Sequence, residues 1–287
     1  RLDEDAPRQA SRHEDAAPDS PAMQNAVDDE DPLLALAPLP ASAQGLHRFP
    51  RGPNPGTFLH GLLEMAAQEG FAALVQDPSR LREALARRCQ RRGLESWIDP
   101  LQDWLLAMLT QALPLDGVDT VVLAQLTQYQ PELEFWFEAR GVDVRLLDQW
   151  VQQCELPGIA RQPLRADTLN GMFKGFIDLV FEHQGRYYVA DYKSNWLGSD
   201  DGAYTREAME VAIASHRYDL QYVLYVLALH RQLRLRLPDY DYDQHLGGAL
   251  YLFIRAPQQG VYLARPPREL IERLDALFMG EAEEGAA

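Results

Sequence analysis

Bulky apolar residues are sparse over residues 1–43, where Asp, Ala and Pro dominate, and then recur at helical spacing over residues 56–112. The first stretch has too little apolar surface to repay ordering, so it reads as a disordered acidic linker, with Leu33-Leu34-Ala35-Leu36 as its one sticky patch. The second reads as helices broken at Asp77-Pro78-Ser79 and at Asp99-Pro100, where Asp99 or Pro100 can open a new helix. Residues 132–137 read as an extended piece and 145–154 as a helix. The runs 174–182 and 187–193 are rich in β-branched and aromatic residues, which predicts two strands joined by a His183-Gln184-Gly185-Arg186 turn. Residues 206–237 follow with mainly helical spacing, interrupted near Ser215-His216, and 248–255 and 260–264 read as closing strands. Strands flanked by helices in this order predict an α/β core. The chain divides on this pattern into a linker (1–45), a folded domain (46–280, helical to 130 and α/β from 131) and an acidic tail (281–287), without an internal repeat.

Composition narrows the class. With 46% hydrophobic and 9% aromatic residues the chain can build a substantial core. No apolar run reaches the 18 residues that suggest a membrane span, and the Arg1-Leu2-Asp3-Glu4-Asp5 start has no apolar signal region. Cys89 and Cys154 are too few for a disulfide framework, which fits a reducing cytoplasm. Neither an initiating methionine nor a phosphate-binding Gly-x4-Gly-Lys loop is present, so the expectation is a piece of a larger protein whose motor lies upstream. The formal net charge of −16 argues against nucleic-acid binding until its distribution is considered. Residues 1–32 carry −7 and the tail −3, which leaves −6 for the body. Within that body Arg80, Arg82, Arg87, Arg88, Arg91 and Arg92 cluster, as do Arg231, Arg234 and Arg236. The first cluster is open to two readings, phosphate contact or a solvated helix face; the second is expected to be a solvated face.

The chemistry concentrates in the expected hairpin. A 183–186 turn sets Glu182 against Tyr187 and Asp178 against Asp191, and alternation puts Lys193 on the Asp191 face. Two carboxylates about 5 Å apart across a ladder repel, so the arrangement calls for a cation or a shared proton. Lys193 is one of only two lysines in the chain, the other being Lys174. Its compact ammonium suits holding a water or a phosphate oxygen where a planar guanidinium does not. On a helix, His60 and Glu64 share a face, and so do Tyr218, Gln221 and Tyr225. Tyr222 is expected to pack against the sheet, and His183, His216, His230 and His245 to be packing or surface residues.

The runs Gly175-Phe176-Ile177-Asp178, Asp191-Tyr192-Lys193-Ser194-Asn195-Trp196-Leu197-Gly198 and Tyr218-Asp219-Leu220-Gln221-Tyr222-Val223-Leu224-Tyr225 resemble the RecB-like branch of the restriction-endonuclease-like nucleases, with their D…(D/E)-x-K signature. The resemblance spans roughly residues 49–278. Ile177 replaces the signature's proline and Asp191 stands where glutamate is frequent; both departures are ordinary in that branch. The resemblance implies a mixed central sheet flanked by helices and a DNA nuclease using Mg²⁺, with Mn²⁺ as a substitute and Ca²⁺ bound without activity. It implies Asp178, Asp191 and Lys193 as catalytic residues, with His60, Asp178, Asp191 and the Tyr192 carbonyl as metal ligands. Glu134 is matched to the family's additional acidic residue, with Glu132 as the fallback, and Gln221 and Tyr225 to its Gln-x3-Tyr motif, orienting DNA or Lys193. Arg87, Arg88, Arg91 and Arg92 are the candidate phosphate contacts. The partners implied are DNA strands delivered by a linked helicase, RecC-like and RecD-like subunits, and the RecA recombinase. Two alternatives compete: a non-catalytic docking module for the recombinase, and a restriction-like or junction-resolving endonuclease.

Overall fold

Prolines at 53 and 55 and a cap glycine at 52 (φ 106°) start the first long helix, α1 (Pro53–Glu69), which buries Phe58, Leu59, Leu62, Leu63, Met65 and Ala66 along one face. The computed structural model describes residues 45–116 and 119–281. The expected linker, its Leu33–Leu36 patch and the last residues of the tail lie outside that range. Helices α2 (Phe71–Gln76), α3 (Pro78–Gln90) and α4 (Ile98–Thr110) follow. The break expected at 77–79 is present, with the Asp77 carboxylate accepting the Arg80 N–H and Pro78 in the first turn. A further break falls at Gly70, whose φ of 93° ends α1, because helical spacing on either side of a glycine hides the change of direction. Helix α4 begins at Ile98 and takes Asp99 and Pro100 into its first turn.

A two-stranded piece, β1 (Leu113–Pro114) with β2 (Thr120–Val121), leads to the central sheet of β3 (Tyr129–Asp143), β4 (Thr168–His183), β5 (Arg186–Lys193), β6 (Leu246–Phe253) and β7 (Val261–Ala264), in that spatial order. All neighbours are antiparallel except β5 and β6, so the sheet is mixed, as expected. The β4–β5 turn is tighter than the four-residue loop read from the sequence. His183 pairs with Arg186, and only Gln184 and Gly185 lie between, both at positive φ (52° and 79°), the backbone a type I′ hairpin demands. Glu182 pairs with Tyr187 as counted from the sequence, but the ladder stops at Leu179–Ala190, so the expected Asp178–Asp191 pair does not form because the strands part there.

Helices cover both faces. On one side α5 (Val144–Cys154), α6 (Arg206–Ser215), α7 (Tyr218–Arg236) and α9 (Arg268–Met279) pack with Ile177, Val180, Val189 and Tyr251; α8 (Tyr242–His245) is one turn long. On the other, α1 to α4 pack with Leu179, Phe181, Tyr188, Ala190, Tyr192, Leu250 and Leu252. The helical region is therefore one lid of the sheet, with no separate core of its own. The expected interruption before α7 falls at Arg217, at φ 57°, whose guanidinium binds Asp148 (2.6 Å) and Asp219 (3.2 Å). Buried Arg161 holds Asp219 as well (2.5 Å), so an ionic knot sets where α7 starts. On the opposite side buried Arg255 donates to the carbonyls of Leu46, Phe49, Pro50 and Ser194, tying the segment before α1 to the residue after Lys193.

Candidate active site

The β4–β5 ladder ends at Leu179 opposite Ala190. One residue further, Asp178 Oδ2 accepts the Tyr192 N–H at 2.8 Å, a side-chain bridge in place of the next ladder pair. The β3–β4 ribbon leaves β5 here, which opens a mouth with Asp178 on one side and Asp191 on the other. On β3, Glu132 lies between the pairs Pro131–Leu179 and Leu133–Ile177, which sets it across from Asp178. Its φ of 48° is a left-handed conformation costly for a side-chain-bearing residue and marks a local kink in the strand.

Helix α1 supplies His60, whose Nδ1 is 3.7 Å from Asp178 Oδ2 and whose ring meets Tyr192 edge-on with centroids 6.0 Å apart. Lys193 arrives from the far side, buried, with Nζ 2.7 Å from Asp191 Oδ2 and 2.8 Å from Gln221 Oε1. The Tyr218 ring centroid lies 3.8 Å from that ammonium and the Tyr251 centroid 4.8 Å, within cation–π range. Tyr251 O–H donates to Gln221 Oε1 (2.7 Å) and Gln221 Nε2 donates to Tyr225 Oη (3.0 Å), so the amide is locked with its oxygen toward Lys193. The i, i+4 spacing of Gln221 and Tyr225 thus becomes a working pair. Tyr251 was not singled out from the sequence; its only signal is its place on β6 in register with Asp191.

Burial dominates the electrostatics of the carboxyls. Burial raises the Asp191 carboxyl to about 7, with the Asp178 charge adding and Lys193 opposing. Asp178 is also raised, by burial first and by Glu132, against the pull of His60, the Tyr192 N–H and Lys193. Glu132 is raised by desolvation, then by Glu64, and is also under the charge of Asp191. Three carboxyls thus share one field.

Glu134, the acidic residue matched from the sequence, is placed elsewhere. It is exposed, 2.8 Å from Lys174 Nζ, and accepts the Trp136 indole N–H at 2.7 Å, and the Lys174 hydrogen bond holds its carboxyl below the usual range. The structure brings Glu132 to the site and leaves Glu134 outside it. The arginine cluster lies on α3 and the turn after it. Arg80 pairs with Glu69, Arg82 with Asp99 and Arg87 with Glu83, while half-buried Arg88 donates to the Ala84 carbonyl and Arg92 sits over the Phe58 ring. Arg91 is exposed. Arg231 and Arg234 bind Asp275 of α9, a structural tie.

The chain matches the PD-(D/E)XK nuclease superfamily over residues 39–286. It belongs to that superfamily. Ile177-Asp178 and Asp191-Tyr192-Lys193 are the runs of this sequence that resemble the PD and (D/E)XK letters of that signature. The chain is 46% identical over 247 residues to the RecBCD enzyme subunit RecB of Escherichia coli, a match covering 84% of this chain and 20% of that protein. It is 35% identical over 263 residues to RecB of Haemophilus influenzae (89% and 20%) and 28% identical over 291 residues to RecB of Mycolicibacterium smegmatis (88% and 26%). It spans about a fifth to a quarter of the length of these curated relatives.

PD-(D/E)XK nucleases are generally dependent on divalent metals, and the donor set here fits one. Glu132, Asp178 and Asp191 offer hard oxygens and His60 a nitrogen, and the three carboxyls are raised chiefly by burial beside one lysine. Among the described residues, no group of three or more His, Cys, Asp or Glu side chains is placed to hold a metal ion. No helix among them is long and apolar enough to cross a membrane.

Proposed function

We propose that this chain is the Mg²⁺-dependent deoxyribonuclease domain of a RecB-type helicase–nuclease subunit, hydrolysing DNA strands during double-strand-break repair and homologous recombination in the cytoplasm. The observation that carries this is the mouth between β4 and β5, where Asp178, Asp191 and Glu132, raised chiefly by burial, gather beside the buried ammonium of Lys193. Asp178, Asp191, Glu132, His60 and the Tyr192 carbonyl would hold the metal, Mg²⁺ with Mn²⁺ as a substitute, and Ca²⁺ would occupy the site without turnover. When bound, the ion supplies Lewis-acid polarisation of the scissile phosphate and offsets charge building on its oxygens. Lys193, released from part of its hold on Asp191, orients the attacking water or a phosphate oxygen. Gln221 and Tyr251 fix the ammonium's position, and Tyr225 fixes the amide of Gln221. RecC-like and RecD-like subunits and a RecA-type recombinase are the proposed partners, with single strands fed from a linked helicase as substrate.

The deciding experiment follows a labelled single strand with Mg²⁺, Mn²⁺, Ca²⁺ or chelator, using the wild type and Asp178→Ala, Asp191→Ala and Lys193→Ala. Cleavage is expected with Mg²⁺ and Mn²⁺ alone and only in the wild type. Wild-type rates in Lys193→Ala would refute the assignment.

A further inference from the structure

Beyond Asp178 the β3–β4 ribbon has no β5 beside it, and its two sides differ. The inner side carries Leu133, Phe135, Phe137, Phe173 and Ile177, packed in the core under α7 and α9. Gly175 belongs to this side because a Cβ there would collide with the Phe135 ring. The outer side carries the pairs Glu134–Phe176, Trp136–Lys174 and Glu138–Met172. Trp136 is 54% exposed and Met172 60% exposed, unusual for large apolar residues on adjacent rungs of one ladder. Lys174 Nζ lies 4.6 Å from the Trp136 ring centroid and 4.9 Å from that of Phe176, and Glu134 anchors both the ammonium and the indole N–H. The tryptophan is thus held in a set orientation with much of its surface open.

Along β4 the patch lies on the run that leads away from Asp178. Counting outward along β4 from Asp178, Phe176 is about 7 Å away, Lys174 with its partner Trp136 about 14 Å, and Met172 about 20 Å, at about 3.4 Å per residue. We propose that the outer side of the ribbon is a stacking platform for the bases of a DNA single strand running to or from the cleavage point, a proposal that rests on the nuclease assignment. Aromatic faces stack on any base, which suits a nuclease without sequence preference, and Lys174 is placed to meet a phosphate. A protein docking on the exposed tryptophan is the competing outcome of the test.

The test compares Trp136→Ala, Trp136→Phe and wild type in the full 287-residue chain. It measures cleavage of a single strand about 20 nucleotides long, cleavage of a nitrophenyl phosphodiester too small to reach the platform, and fluorescence anisotropy of the same strand with Ca²⁺. Trp136→Ala is expected to raise the KM and the Ca²⁺ dissociation constant for the long strand about tenfold, with kcat within about twofold, and Trp136→Phe to recover most of the loss. The small substrate should be unaffected. Unchanged affinity for the long strand in Trp136→Ala overturns the platform while leaving the nuclease assignment standing. Equal losses on the long and small substrates also overturn it. If the wild type cleaves nothing, the nuclease assignment fails and the anisotropy comparison still decides the platform. Lost capture of a purified RecA-type recombinase with unchanged DNA affinity assigns the patch to protein and overturns the proposal.

Discussion

Asp191 should make the metal-free protein lose stability as pH rises. Its carboxyl is raised from 3.8 to about 7 in the fold, chiefly by burial, then by Asp178, against Lys193. In the unfolded chain an ordinary aspartate gives up its proton near pH 4. Between about pH 4 and pH 7 the folded state therefore binds a proton that the unfolded state has released, and stability falls with rising pH through that window and levels off above it. At about 1.4 kcal/mol per pKa unit the ceiling is about 4 kcal/mol, and coupling to Asp178 spreads the loss over both carboxyls. The raised Asp178 and Glu132 act in the same direction, while the lowered His230 acts against them. The difference between wild type and Asp191→Asn reads this carboxyl together with its coupling to Asp178. Urea unfolding in chelator, in steps from about pH 4.5 to about pH 8, should show wild-type stability falling relative to Asp191→Asn by about 2–4 kcal/mol. Mg²⁺ should reverse the trend, with apparent affinity rising about tenfold per pH unit up to about pH 7 as one proton is displaced. Parallel pH curves for the two proteins would refute the reasoning, since the carboxyl would then titrate alike folded and unfolded.

Lys193→Ala should lower the cleavage rate by at least about a hundredfold with little change in thermal midpoint in chelator, because Asp191 can take a proton in place of its lost partner; single-turnover assays and melting curves check both halves. Glu132→Gln should weaken Mg²⁺ binding by about 10- to 100-fold and Glu134→Gln should leave it within about twofold, as read by calorimetry; the reverse order would return the role to Glu134. Gln221→Leu should cut kcat about tenfold or more at unchanged KM, because the ammonium loses the acceptor that fixes it, while Tyr225→Phe should cost less; steady-state kinetics separates them. Arg255→Met should lower stability by about 3–5 kcal/mol by stranding the carbonyls of Leu46, Phe49, Pro50 and Ser194, measured by denaturant unfolding.

The hairpin was legible in the sequence because local rules settle it. A Gln-Gly pair suits the left-handed turn, and once the turn is set, counting gives every pair back to Leu179 and Ala190. Gln221 and Tyr225 were legible for the same kind of reason, a four-residue helical step. The break at Gly70 and the full lengths of β3 and β4 were not, since a glycine leaves helical spacing undisturbed and ribbon length depends on what packs beneath it.

Residue order alone put two acidic residues and a lysine at one end of a hairpin; the role of the histidine on an early helix came only from the family resemblance, and the fold sets it 3.7 Å from Asp178. The choice between Glu132 and Glu134 belonged to the tertiary structure. The two are a pleat apart with the same parity, so no periodicity separates them; the kink at φ 48° and the approach of α1 decide that Glu132 shares the field of Asp178 and Asp191. Tyr251 and Arg255 are likewise decided late. Each acts across a distance of 30 residues or more in sequence, on Gln221 and on the segment before α1, and contacts of that range exist only once the sheet has brought the strands together.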